Sequence, residues 1–280
     1  MEKNGFSKLA LALLITGILL CVGVVLFVGI KGLGAKYLVT EYTQDIDESF
    51  ENLSLESDIS DLRVMLATDG KCRVVCKRLE KFGCTAVVEN STLVLRETDE
   101  RKWYERISFF GGNTEAVIYL PEGKYGTLGA DSDVGEVYLE SGFSFADIDL
   151  HTDTGHITVK GADAETVNVD TATGVITLVN VNCTSATVDS DTGIIKLIRM
   201  IATGEMNVES DTGSVVLDSV DAPSISVETD TGNVRGTLLS AKVFTAESDT
   251  GRVNVPNDGQ GGKCRIITDT GNIDIKIVEG

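Results

Sequence analysis

The triplet Asp-Thr-Gly occurs six times in this 280-residue chain, at 153–155, 191–193, 211–213, 230–232, 249–251 and 269–271. The same triplet is the catalytic motif of aspartic proteases, in which two carboxylates about 3 Å apart share one proton. That chemistry needs one Asp from each of two equivalent loops. A triplet repeated in register along half a chain fits a structural turn instead. His151 and His156 bracket the first of these turns. A metal site there would need a third ligand, and none is evident nearby. Cys72 and Cys76 alternate with Val74 on one strand face, and Cys84 follows a short basic turn. With no neighbouring histidine they make a poor zinc set. They read as small buried hydrophobes, with one disulfide among them if the body faces an oxidising compartment. No serine has an adjacent histidine, and neither a G-x-S-x-G elbow nor a Walker-type loop occurs. The expectation is a protein that is not an enzyme, with no catalytic, cofactor-binding or metal residues.

The triplets belong to a longer beat. Ser132-Asp133-Val134-Gly135 and Thr171-Ala172-Thr173-Gly174 fill its gaps, and the marker glycines 135, 155, 174, 193, 213, 232, 251 and 271 are spaced by 19 or 20 residues. Two residues after each glycine stand Val137, Ile157, Ile176, Ile195, Val215, Val234, Val253 and Ile273. Seven before stand Leu128, Ile148, Val167, Ala186, Met206, Ile225, Phe244 and Cys264, and five before comes a second apolar column from Ala130 to Ile266. Three before is always Ser or Thr. Alternation on both sides of a turn predicts two strands per repeat, each with one face inward. A single repeat cannot bury that face. Stacking coils about 4.8 Å apart can, and the fold class expected is an all-β solenoid of roughly eight 19–20-residue coils. The Ser/Thr hydroxyls are expected to bond turn backbone, and the glycine to supply a positive φ or a close backbone approach.

Before the solenoid, Leu62 to Ala67, Cys72 to Cys76, Ala86 to Glu89, Thr92 to Leu95 and Ala116 to Leu120 read as strands without the marker. They suggest an N-terminal β cap over the first coil. Leu9 to Ile30 is uncharged and nearly all apolar, and its 22 residues span about 33 Å as a helix, enough to cross a bilayer. A cleaved signal peptide fits less well, because Leu33-Gly34-Ala35 is a weak small-residue exit. The expected organisation is a tail over 1–8, a transmembrane helix over 9–30, a linker over 31–45, the cap region over 46–125 and the repeats over 126–280. Lysines flank the span equally, so positive charge does not orient it. A short tail before a large domain favours a single-pass membrane protein with its body outside the cytoplasm.

Forty-three acidic against 24 basic residues give a net charge of −19, which argues against a nucleic-acid partner. Asp191, Asp211, Asp230, Asp249 and Asp269 would form one carboxylate column. One carboxylate per coil falls short of the about six to eight oxygens a calcium site takes. Weak, non-specific divalent cation association is expected instead. The remaining partners expected are the membrane, through the N-terminal helix, and an unknown envelope protein.

The Ser/Thr-Asp-Thr-Gly-x-(Val/Ile)-x-(Leu/Val) beat, introduced by Val117-Ile118-Tyr119-Leu120-Pro121-Glu122-Gly123, resembles the putative-adhesin β-strand-repeat family of bacterial cell-envelope proteins. Arg101-Lys102-Trp103-Tyr104 and the single N-terminal span fit Gram-positive members. The resemblance covers roughly residues 45–280. It implies an extracytoplasmic adhesin-like or interaction scaffold, a domain of unknown function without shared catalytic residues. The alternative it implies is an accessory or sensing component of an envelope-stress signalling system.

Overall fold

The computed structural model describes residues 39–79, 82–99, 114–257 and 259–278. The apolar stretch 9–30 and the Trp103-Tyr104 segment lie outside these residues. Among the described residues no helix is long and apolar enough to cross a membrane. Among the described residues all regular structure is β.

The expected strand runs ahead of the repeats form as β3 (Asp61–Leu66), β4 (Cys72–Leu79), β5 (Phe82–Glu89), β6 (Thr92–Asp99) and β7 (Glu115–Leu120), and two strands beyond those expected, β1 (Val39–Ile46) and β2 (Asn52–Ser57), precede them. The repeats supply β8 (Gly123–Val134), β9 (Val137–Leu139), β10 (Phe143–Thr154), β11 (Ile157–Lys160), β12 (Ala162–Val179), β13 (Asn182–Cys183), β14 (Ser185–Ile198) and β15 (Ile201–Ala202). They continue with β16 (Glu205–Thr212), β17 (Val215–Val220), β18 (Ser224–Thr231), β19 (Val234–Leu238), β20 (Lys242–Thr250), β21 (Val253–Asn254), β22 (Gly262–Thr270) and β23 (Ile273–Ile277). Parallel pairing in register joins each coil to its neighbours: Ile148 lies beside Leu128 and Val167, and Ile195 beside Ile176 and Val215. The apolar columns around the marker glycines fill one continuous core. The chain is a β-solenoid of about eight turns.

Each coil has a third side that the alternation of the two main strands does not reveal. Phe143 and Phe145, Ala162, Val181 and Cys183, Met200 and Ala202, and Val220 and Ala222 are all buried there. The two-residue strands β13 and β15 pair along this side. The backbone reaches it through a left-handed corner at Gly161, Asn180, Arg199 and Ser219, with φ of 58°, 54°, 50° and 61°. Positive φ therefore belongs to this corner.

The marker glycines serve close approach. A Cβ on Gly155, Gly174, Gly193, Gly213, Gly232, Gly251 or Gly271 would lie 1.5–1.8 Å from the carbonyl oxygen of the glycine in the adjoining coil. Beside this ladder of carbonyls runs the Ser/Thr column. Ser248, Thr268 and Thr229 donate to the carbonyls of Gly271, Gly232 and Gly213 at 2.8, 3.1 and 3.2 Å. Hydroxyl and carbonyl satisfy each other at these three turns, whereas the buried hydroxyls of Ser132, Thr171, Ser190 and Ser210 meet no such partner, against the expectation for the whole column.

Coil order in space departs from chain order at both ends. β2–β3 sits between β6–β7 and β8–β9, with Leu53 beside both Leu93 and Leu128. In this inserted coil Ser60 takes the glycine's place, and a Cβ on Gly135 would lie 2.6 Å from its oxygen. At the other end β22–β23 pairs with β18–β19 on one side and β20–β21 on the other. The last coil of the sequence is therefore the penultimate coil of the stack. This corrects three core assignments, those of Phe244, Ala246 and Val253. Phe244, Ala246 and Val255 are only partly buried and Val253 is exposed, whereas Cys264, Ile266, Ile273 and Ile275 are enclosed.

Beyond β6–β7 the pairing turns antiparallel, through β5 on β6, β4 on β7 and β1 on β4. Cys76 on β4 and Cys84 on β5 are joined by a disulfide, while Cys72, Cys183 and Cys264 are buried thiols. Burial pushes the thiol pKa up to about 11 for Cys72 and Cys183 and about 12 for Cys264, which keeps them protonated and unreactive. The disulfide closes a loop of sequence separation 8. Replacing both partners by alanine is expected to cost about 2.5 kcal/mol, read as a lower denaturant midpoint. An unchanged midpoint would mean that the hydrogen bonds of β4 and β5 alone hold this end.

Candidate interaction surface

Side chains alternate along each strand, so the outward residues of successive coils form ladders. On the face built by β8, β10, β12, β14, β16 and β18, one ladder reads Asp131, His151, Asp170, Asp189, Glu209 and Glu228. Two residues on, the exposed Asp153, Asp191, Asp211 and Asp230 of the turns make a second carboxylate column. Unit charges one coil apart repel by about 1 kcal/mol in water. Asp189 shows the strain of this crowding. Partial burial raises its pKa, and Glu209, Asp191 and Asp170 push it further the same way.

His151 relieves the ladder locally. Its Nδ1 meets the Asp170 carboxylate in a short contact, and its Nε2 lies 3.3 Å from Asp153. Partial burial lowers the imidazole pKa, but the hydrogen bonds and charges of Asp170, Asp153 and Asp131 outweigh that and raise it. A raised folded-state pKa stabilises the fold below the unfolded value of about 6.5 and ceases to do so as pH rises through the folded value. The melting temperature of wild type minus that of His151→Gln should accordingly be largest in mild acid and shrink on the alkaline side. The effect is small, because the side chain is 41% exposed and solvent screens it. A difference that grows with pH would contradict the assignment. His156 is engaged elsewhere, its Nδ1 accepting the Val175 N–H at 3.0 Å. The two histidines are thus not brought together on one ligand, and among the described residues no group of three metal-binding side chains forms.

The opposite face, built by β9, β11, β17 and β19 with the second halves of β12 and β14, has another character. Tyr138 is flanked by the Arg63 guanidinium at 5.4 Å and the Lys160 ammonium at 5.1 Å from its ring centre. Arg63 is tied to Glu115 and Glu136 at 2.9 and 2.7 Å. Lys196 and Arg235 continue the outward column past Val216, and Ile194 is exposed at its edge. One face is a carboxylate ladder; the other mixes cations, an aromatic ring and aliphatics.

On the third side a shallow notch of about 460 Å³ opens where β22 replaces the short strands, lined by Thr203, Asp221, Pro223, Ser240, Lys242 and Gly262. Lys242 is 2% exposed and its ammonium lies 2.5 Å from the Asp221 carboxylate, with Ser240 bonded to both. Lys242 stands opposite Gly262 in the register. A Cβ on Gly262 would lie 2.4 Å from the Pro223 carbonyl oxygen, and Lys242 reaches Asp221 across this close-packed coil. The lysine is buried and neutralised by the half-buried Asp221, which fits a clasp on coil order better than a ligand site.

The recurring Asp-Thr-Gly sites stand one coil apart along a stack edge, each with its glycine on the neighbouring coil's carbonyl. That is a repeated turn, as the recurrence suggested. What the alternation of the sequence missed is the contrast between the two faces, although outward positions could have been sorted by charge once the register was known.

Residues 50–204, more than half of the chain, match the family described as Toastrack DUF4097. The solved structure of a putative lipid binding protein from Parabacteroides distasonis ATCC 8503 is similar over 85% of this chain and 97% of that chain, at 11% identity and a TM-score of 0.52. A putative adhesin from Parabacteroides merdae ATCC 43184 aligns over 85% and 96%, at 10% identity and 0.48. Another from Bacteroides fragilis NCTC 9343 aligns over 85% and 97%, at 15% identity and 0.44. At these identities the first likeness concerns the fold alone. No curated protein matches.

Proposed function

The chain belongs to the Toastrack DUF4097 family, and on that basis we propose that it is a membrane-anchored, non-enzymatic β-solenoid that serves as an adhesin-like or interaction scaffold on the cell exterior. The observation that carries the reading is the pair of long, chemically distinct faces, one of them mostly carboxylate. A flat ladder of like groups suits contact with an extended partner, whereas catalysis needs convergent groups in a recess. The anchor is residues 9–30, whose uncharged, mostly apolar run is long enough for a bilayer. The Cys76–Cys84 disulfide supports an extracytoplasmic body, since such bonds persist in oxidising compartments. The antiparallel strands β1, β4 and β5 act as the cap that seals the anchored end of the stack.

Topology tests this most simply. Thr187 is exposed on the acidic face, and the thiols of Cys72, Cys183 and Cys264 are buried. A Thr187→Cys variant in intact cells is expected to react with a membrane-impermeant maleimide. Labelling that appears only after lysis would place the body inside and overturn the proposal.

A further inference from the structure

The two ends of the stack are finished differently. The end that holds β1, where the chain enters the described structure, ends in the antiparallel strands taken above as its cap, with β5 on β6 and β1 on β4. At the other end, β20 and β21 pair inward with β22 and β23, and among the described residues no strand pairs with their outer side. This open edge is guarded only by the shortness of β21 and by the exposed Glu247 and Asp249 on β20. Lys242 is turned into the fold, neither strand contains proline or a bulge, and Val243 and Val253 are 46% and 43% exposed. Behind them Phe244, Ala246 and Val255 are only partly covered. An unpaired, apolar parallel edge is a template for another strand.

Residues 1–38, 80–81 and 100–113 adjoin β1, β4, β5, β6 or β7 in the chain, and the edge suits a second copy of itself. A twofold axis through both faces would run β20 antiparallel to its copy and extend each sheet across the junction. With Ala246 opposite Ala246, Glu247 faces Thr245 and Asp249 faces Val243, so no carboxylate meets another directly. Phe244 and Val255 would close against their counterparts.

We propose that this protein dimerises tip to tip through β20 and β21. This rests on the scaffold reading above and deepens it, because it names the partner. The anchor leads into the closed end, so the free tip stands furthest from the membrane. From β5 to β20 one face stacks 11 strands, which puts the tip about 48 Å beyond the first of them. Two tips meeting head-on join copies anchored in opposed membranes. The contact is therefore homophilic adhesion between surfaces.

The full chain, purified in detergent and reconstituted into phosphatidylethanolamine–phosphatidylglycerol vesicles, gives two separate readouts. Flotation with the vesicles reports the anchor, and clustering of the vesicles by light scattering reports the tip contact. Wild type is expected to float and to cluster. A Val243→Lys/Val253→Lys variant, which alters two exposed side chains, is expected to float, melt like wild type and leave the vesicles dispersed. Wild type that floats without clustering overturns the tip contact. Clustering that survives the double substitution overturns it too, by assigning adhesion to a sheet face or another partner. If the chain does not float, the anchor reading fails alone, and sedimentation with small-angle scattering of the free chain decides the tip. A dimer of doubled length supports it, and a monomer or a side-by-side dimer refutes it.

Discussion

A Val215→Asp variant should lose the middle of its stack. Val215 is fully buried at the start of β17, between Ile195 and Val234 of the adjoining coils. Its surroundings are the apolar columns of three coils, which offer an aspartate neither cation nor donor. Burying an unpaired charge in such a place costs about 4 kcal/mol or more, a large part of what holds a domain together. Because each coil buries its face only against its neighbours, the loss propagates to both sides. Urea denaturation followed by far-ultraviolet circular dichroism should show a much lower midpoint or a broad, multistep transition. Asp211→Ala, four residues earlier but exposed at the turn, should cost only about 0.5–2 kcal/mol, as removal of a turn cap does. The natural Ala172 holds the equivalent position in another coil. Equal damage from both substitutions would mean that the core columns are wrongly placed.

Gly213→Ala should be nearly as harmful for a different reason. A Cβ there would lie 1.5 Å from the carbonyl oxygen of Gly193 and 2.6 Å from its carbon, both backbone atoms held by the ladder. Relief requires two coils to separate, and with them the hydrogen bond from the Ile195 N–H to the Ser214 carbonyl. A cost of about 3 kcal/mol is expected from such overpacking. Were the glycine needed for its backbone angles, alanine at Gly213 would act by conformational strain and Gly213→Asn would be tolerated, since asparagine adopts left-handed angles readily. The close-approach account predicts instead that asparagine is at least as damaging as alanine. Thermal melting of the two variants distinguishes the mechanisms.

The coil frame was legible because burial has a strict period. Val215, Ile195 and Ile176 could be placed inward from spacing alone, and so could Thr229 beside its turn. The third side was hidden because its buried pairs, such as Val181 with Cys183 and Met200 with Ala202, stand between the main strands with no alternation long enough to count. The left-handed corner was hidden for a chemical reason. Asn180, Arg199 and Ser219 share no residue type, and tertiary pairing imposes their conformation. Coil order was beyond the reach of periodicity, since the marker glycines keep their 19–20 beat through Gly251 and Gly271 whichever coil lies outermost. The signs that could have revealed it are small. Lys242 puts a cation where earlier coils have Thr184, Gly204 and Pro223, and the segment from Pro256 to Gly262 is rich enough in glycine to turn back past a coil. The two faces were missed for want of that register, since their character lies in ladders and not in any one residue.

Which coil lies outermost decides which strand the molecule presents at its free end, and a cross-link decides it. Thr231 is registered with Thr270, and Thr270 with Thr250, so Thr231 and Thr250 stand two coils apart. All three are exposed. Neighbouring coils lie about 4.8 Å apart and a disulfide spans Cα separations of about 4.4–6.8 Å, so only adjacent pairs can close. Mild oxidation of a Thr231→Cys/Thr270→Cys variant, read by mass spectrometry of the digested chain, should give a nearly complete intramolecular disulfide. A Thr231→Cys/Thr250→Cys variant should keep both thiols free. The reverse outcome would stack the coils in chain order, bury β20 and contradict the account of the tip.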